Sequence, residues 1–423
     1  MMRRREPQVW RIALLASACI ALAGAAAHPQ KQQLATGRIT IAPWQYLPGS
    51  LLQLHVNGFA PPYQFAVLGA GRIAGGFYEV PRLRASSSAL LVVGNAAGLA
   101  AATVRIGIPP PKNRALLVAA SYDDGLVFHD AHTLSVLGVL AIPGAPGDVA
   151  IDADGRVAAP DTQGTSLALA RLQPWGVVRI GDVAFGDDVA IDGRTRQVFV
   201  TDRDWNGSGA LTRIDAGGAV TRVATGATAE GLAIDERRQL VYVANTNDGT
   251  VAVINARSMR VVRRFYAIGR AFSLVLSPDG TRLYVVSNQS AESLFAAAGS
   301  AVAFALRGPR SRLVARSADL TFPLGAALDS STQTLFVTDE ALARIDVLDA
   351  RSLRPKRPPL QTCATPWKPA LDASAHRLYV PCAGANTIDA FDLRTLRRIA
   401  GAPFATGGYP LAIAIWRPSE RSE

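Results

Sequence analysis

The chain has 423 residues, of which 49% are hydrophobic and 18% charged, with a formal net charge of +11. That balance excludes a disordered chain, and the length allows two or three domains or one repeat array with a module attached. The basic excess would attract anions such as nucleic acid, lipopolysaccharide or acidic polysaccharide through its summed field, but the arginines are scattered rather than gathered in one run.

Residues 1–27 read as a basic stretch (MMRRREPQVWR), an apolar run (IALLASACIALAG) and small residues before His28, the pattern of a secretory signal peptide. The apolar run falls short of the roughly 20 residues that span a bilayer, and no later segment offers a span. The expected mature chain is periplasmic or secreted, without a transmembrane segment, and monomeric. LASA before Cys19 is only a weak lipoprotein box, because Ala16 stands where a larger aliphatic residue is usual. The leader contains four arginines and one glutamate, so its removal leaves +8. An oxidising compartment lets the other two cysteines, Cys363 and Cys382, pair.

Residues 37–109 carry alternating strand patterns (RITIAP, LLQLHVNGF, YQFAVLG, ALLVVGN, AATVRIGI) and end in PPPK, a stiff linker. From 112 to 417 the chain repeats itself. The ending seen in GDVAID (to Asp152) recurs as DDVAID (Asp192), EGLAID (Asp235), FSLVLS (Ser277), GAALD (Asp329), KPALD (Asp372) and LAIAIW (Trp416). The first six are each followed by a turn and a β-rich run, among them QVFVTD, LVYVAN, RLYVVS, TLFVTD and RLYVPC, then by two more such runs. Four strands every 40 to 50 residues or so is the period of a propeller blade. The array opens on a second strand (ALLVAAS, Ala115–Ser121) and ends on a first (LAIAIW), so the C-terminal strand can complete the first blade and leave no open edge. The expected fold is all-β: a small sandwich, a seven-bladed β-propeller over 112–417, and a tail at 418–423.

LVYVANTNDGTVAVINARSMRVV, RLYVVSN and RLYVPCAGANTIDAFDLRTLRRI resemble the YVTN family of β-propeller repeats, with a weak copy in RVAAPDTQGTSLALARL, which lacks the aromatic residue. The resemblance implies an exported seven-bladed ring and no common activity. LPGSLLQLHVNGFAPPYQFAV with LLVVGNAAGLAAATVRIGI resembles bacterial immunoglobulin-like modules, which implies a spacer or docking element.

Hydrolase, zinc and nucleotide signatures such as G-x-S-x-G, H-E-x-x-H, C-x-x-C or a phosphate-binding glycine loop are missing from the sequence. His129 and His132, in FHDAHT, read as a strand end and a solvated turn. Functional residues of a propeller gather where the inner strands begin and where second strands lead into third ones. Those positions supply Asp148, Asp188, Glu230, Asn245, Asn247, Asp248, Trp205, Trp367 and Lys368 as ligand-binding candidates. Carboxylates converging there would repel one another, and a bound cation would relieve the repulsion. By residue type alone, Glu230, Asn245, Asn288 and Asp339 compare with the calcium ligands of regucalcin and gluconolactonase-type propellers. The longest unusual loop, 288–304, carries Leu294 and Phe295. The reading that needs no catalytic residue is an exported, non-catalytic binding or scaffold protein with no obligatory cofactor, facing an envelope or extracellular protein or polysaccharide. The alternatives are a calcium-type hydrolase or sensor and a binder of anionic polymer.

Overall fold

The computed structural model of the protein describes residues 35–418 except 42, 59, 76, 96, 143, 182, 184, 204–207, 289–298 and 307–310. The segment expected to be a signal peptide, with Cys19, and Trp205, Leu294 and Phe295 lie outside the described residues. The chain divides into two compact units, Met1–Ile108 and Pro109–Glu423.

The second unit is a seven-bladed propeller of four-stranded antiparallel sheets. In blade 4 the strands run from the axis outward as Ala229–Asp235, Leu240–Asn245, Thr250–Asn255 and Arg260–Tyr266. Sheets packed on both faces bury both sets of alternating side chains, and Val241 to Asn245 are buried without interruption. Only the outer strand keeps the alternation of exposed and half-buried residues expected of an edge that meets water. Blade 1 takes Leu116–Ser121, Gly125–Asp130 and Val136–Leu140 from the start of the array and Pro410–Trp416 from its end, with Leu117 opposite Ile415. The ring closes as the phase of the repeats implies.

A second repeated device fills the seams between blades. The middle of the second strand carries Phe199, Tyr242, Tyr284, Phe336 and Tyr379 in blades 3 to 7, all at most 2% exposed. Against these rings packs an apolar residue from the turn that joins the third and fourth strands of the next blade. Met259 shares a core cluster with Phe199, Leu353 shares one with Tyr284, and Leu396 packs against the cluster of Phe336. The turn residues Leu134, Met259, Leu353 and Leu396 sit at φ between 50° and 64°. That left-handed region disfavours any residue with a Cβ, and at Met259 and Leu353, whose side chains are buried, the packing offsets the strain.

In blades 6 and 7 the residue that ends the second strand ties down the loop entering its own blade. Asp339 does so in blade 6, accepting hydrogen bonds from the amides of Thr321 (2.9 Å) and Phe322 (3.2 Å). In blade 7 the same position is Cys382, disulfide-bonded to Cys363 with a Cα separation of 5.7 Å and a sequence separation of 19. Closing a loop of this size contributes about 3 kcal/mol in the chain-entropy model. A Cys363→Ser/Cys382→Ser variant is expected to lose about that much stability in urea unfolding, and reducing agent should produce the same loss in the parent chain. A loss below 1 kcal/mol in both would contradict the loop-tethering role.

In the first unit, Gly98–Ile106 pairs antiparallel with Ser87–Asn95, which in turn pairs with Gln64–Leu68. Ala35–Thr36 and Gln45–Tyr46 add to Gly98–Ile106 in parallel. A second sheet joins Leu51–Gln53, Phe77–Glu79 and Arg72–Ala74. Tyr78 and Leu91, one from each sheet, are fully buried.

Candidate functional site

The mouth of the ring is shaped by bulges. In blades 3 to 6 the inner strand slips register against the second strand, between Gly186 and Val189, Ala229 and Leu232, Ala271 and Ser273, and Pro323 and Ala326. A bulge takes residues out of the ladder and re-aims their side chains. By repeat position, the first set of such residues is Asp187, Glu230, Phe272 and Leu324, with Trp367 their counterpart in blade 7. The next set is Asp188, Gly231, Ser273 and Gly325, with Asp148 and Lys368 the counterparts in blades 2 and 7.

A bulged amide still needs an acceptor. The amide of Asp188 donates to Thr201 Oγ1 (2.9 Å) and that of Gly325 to Thr338 Oγ1 (3.1 Å). The same two hydroxyls donate onward to the carbonyl oxygens of Glu230 (2.7 Å) and Trp367 (2.8 Å) in the following blade. The VTD of QVFVTD and TLFVTD is therefore a staple that holds the bulge and its neighbour.

Blades 3 and 7 stand on opposite sides of the ring, so the ion pair between Asp188 Oδ1 and Lys368 Nζ crosses the channel. Asp188 Oδ2 also accepts from the amide of Leu232 (3.1 Å). Asp148 accepts from the amide of Val189 (3.2 Å), and burial raises its pKa against the opposing pull of the Lys368 ammonium. Beside the pair, Arg203 binds Asp187 (2.5 Å) and approaches Glu230 Oε1 (3.5 Å). Burial, reinforced by Asp187, pushes the Glu230 carboxyl up to about 7. The Thr246 hydroxyl, 2.6 Å from Glu230 Oε2 and 2.7 Å from the carbonyl oxygen of Ala271, donates to the carboxyl and works against this rise, as does the nearby Arg203. The other half of the mouth is apolar, with Phe272 and Trp367 edge to face at 6.0 Å beside buried Leu324.

The structure gathers Asp148, Asp188, Glu230, Trp367 and Lys368 at this mouth. Asn245, Asn247 and Asp248 instead bind the loops on either side of their blade, the outer strand of blade 3 and the third strand of blade 4. The amide of Asn245 donates to the Thr225 carbonyl and to Thr250 Oγ1, both at 3.1 Å. Asn247 donates to Thr228 Oγ1 (2.6 Å) and accepts from Arg270 (2.7 Å), while Asp248 accepts from the amide of Ala227 (2.7 Å). Of the calcium-type set, Glu230 faces Arg203 and Thr246, Asn245 and Asp339 are committed to separate loops, and Asn288 is half-buried at the end of its strand. Among the described residues no three or more His, Cys, Asp or Glu side chains stand together as a metal site.

Sequence reasoning missed Arg203, Thr201, Thr246 and Thr338. The recurrence of Thr before Asp in QVFVTD and TLFVTD was the available signal. His132 is exposed in its turn and His129 stands at the end of its strand, as expected, but His129 is fully buried, its Nε2 2.9 Å from Thr406 Oγ1, and burial lowers its pKa to about 4.

The propeller is similar to several solved structures at identities that speak for the fold alone. A functionally unknown protein from Desulfotomaculum acetoxidans is 16% identical with a TM-score of 0.61, over 72% of this chain and 99% of that one. The periplasmic gluconolactonase of Pseudomonas aeruginosa is 13% identical with a TM-score of 0.57, over 71% and 98%. A Lactobacillus plantarum protein is 16% identical with a TM-score of 0.57, over 71% and 99%. No family model and no curated protein matches the chain.

Proposed function

We propose that this is an exported, non-catalytic binding protein of the YVTN-repeat type, whose propeller presents its mouth and surrounding loops to an envelope or extracellular partner. The observation that carries the reading is the self-satisfaction of the mouth. Asp188 is paired with Lys368 across the channel and Asp187 with Arg203, while Glu230, whose carboxyl burial pushes up to about 7, is hydrogen-bonded to Thr246, so the polar groups are engaged with one another instead of framing an open coordination site. A mouth that is half ion-paired and half aromatic suits a flat macromolecular contact, in which aromatic residues supply area and charge pairs supply register. The immunoglobulin-like reading of residues 37–109 as a spacer belongs to the same proposal, supported by an all-β unit in which Ala35–Thr36 and Gln45–Tyr46 both add in parallel to Gly98–Ile106. Residues 1–27 and the Cys363–Cys382 disulfide support export.

The competing reading is a metal-dependent hydrolase, suggested by the likeness to a gluconolactonase. A selective ligand of the folded state must raise its melting temperature. With calcium, manganese or zinc at millimolar concentration, the full chain is expected to show no rise in Tm and no turnover of glucono-δ-lactone. Calcium-dependent turnover that disappears in Glu230→Gln would replace the binding reading with the enzymatic one.

A further inference from the structure

The seam between blades 2 and 3 breaks the packing device of its sisters. Blade 2 carries Ala158 where blades 3 to 7 carry Tyr or Phe. The facing turn of blade 3, DAGGA, closes with the Asp215 amide on the Ala219 carbonyl and places Gly218 (φ 89°) at the left-handed position that Leu or Met holds elsewhere. A Cβ built on Gly218 would meet nothing within 4 Å. The preceding seam is not left open in this way, because Trp175 packs edge to face on Phe128 at 5.7 Å.

On the side of the ring away from the mouth this seam holds a cavity of about 560 Å³, lined in part by Gly218 and its turn and within the usual range for a small-molecule site. Its walls are Leu169, Val178 and Ile180 of blade 2 and Ile191, Val198 and Ile214 of blade 3. Arg156, Arg171 and Arg196 line it and also line an adjoining recess of about 410 Å³ that reaches Trp416. Arg156 is paired with Asp152, and its Nη1 donates to the Arg196 carbonyl (3.2 Å). Arg171 and Arg196 are exposed and form no ion pair with a described residue. Two carboxylates stand at the same end, Asp154 and Asp215. Asp215 is occupied by the amides of Gly217 and Ala219, both at 2.9 Å.

An apolar chamber with guanidinium groups at its opening is complementary to a molecule that has a hydrocarbon body and an anionic head. We infer that the blade 2–blade 3 seam is a binding site for an acyl-chain anion, with the chain between Leu169, Val178, Ile191 and Ile214 and the head at Arg171 and Arg196. The class covers a free fatty acid and a single-chain anionic phospholipid, whose heads make the same demand.

Titration of the full chain with decanoate below its micellar concentration tests this, with 1-decanol as the uncharged control. One decanoate is expected to bind per chain and to raise Tm, with at least tenfold weaker binding of 1-decanol and of decanoate to an Arg171→Gln/Arg196→Gln variant. Gly218→Leu, which supplies the seam residue found in the sister turns, should abolish binding. Val178→Trp at the exposed wall provides a second block if Gly218→Leu does not fold. Competition by lysophosphatidylglycerol would assign the head to a lipid, and its failure to compete would leave the free acid. No saturable binding, equal binding of 1-decanol, indifference to both blocking variants, or association only with phosphatidylglycerol vesicles would each overturn the inference.

Discussion

Replacing Lys368 by methionine is expected to lower the unfolding free energy by about 3–5 kcal/mol, the range for removing one partner of a buried ion pair. The Lys368 and Asp188 side chains are 15% and 8% exposed, so water cannot take over the lost contact. The methionine nearly preserves the volume of the lysine stem, which leaves charge as the variable. Asp188 would keep the Leu232 amide as a donor, but its charge would lose the only cation that reaches it within the described residues, and Asp148 would lose the ammonium that opposes its burial. Adding Asp188→Asn should recover much of the loss, because both charges are then absent. Urea unfolding of the single and double variants reads this directly. A single-variant loss below 1 kcal/mol, or a double variant no better than the single, would mean that the pair does not hold blades 3 and 7 in register.

The second large effect concerns pH. The Glu230 pKa is about 7 in the fold against 4.5 for the free side chain. Between those values the unfolded chain releases a proton that the fold retains, so stability falls as pH rises from about 4.5 and the loss is complete just above 7. Two to three pKa units correspond to about 3 kcal/mol. His129 acts with the opposite slope. Its folded pKa of about 4 lies below the ordinary 6.5, so the unfolded chain takes up a proton that the fold refuses, and stability falls as pH drops from about 6.5 towards 4. In the parent chain the two trends offset one another over pH 4.5–6.5. Glu230→Gln is therefore expected to raise Tm at pH 7.5 and to uncover the His129 slope, with stability climbing from pH 4.5 to 6.5. Differential scanning calorimetry across that window measures it. A Tm at pH 7.5 equal to or below that of the parent would show that the Glu230 carboxyl is not held protonated.

The difference between what could and could not be read from the chain is visible in LVYVANTNDGTVAVINARSM. Its alternating apolar residues and turn punctuation specify strands, because those patterns are local, and the phase of the seven repeats specifies closure, because a ring must pair its first and last strands. NARSM reads as a turn, yet Met259 is also the cover of Phe199 in the preceding blade. Asn245, Asn247 and Asp248 looked like site residues because oxygen-bearing side chains in a propeller loop suit a ligand. The fold uses them on Thr225, Thr228, Thr250 and Ala227, since a loop at the mouth must satisfy its own polar groups first.

Residues far apart in the chain explain the rest. Asp188 and Lys368 are separated by 180 positions, and nothing in DDVAID or WKPALD indicates that the two side chains meet across the axis. The protonation of Glu230 depends on Asp187 as well as on burial, and the open seam depends on where the blade 3 turn at Gly218 falls against blade 2. The blade, the number of repeats and the manner of closure are legible in the chain, because they follow from short-range periodicity and from counting. Which charges are neutralised and where a cavity remains emerge on folding, because both depend on which side chains from different blades are brought within a few ångströms.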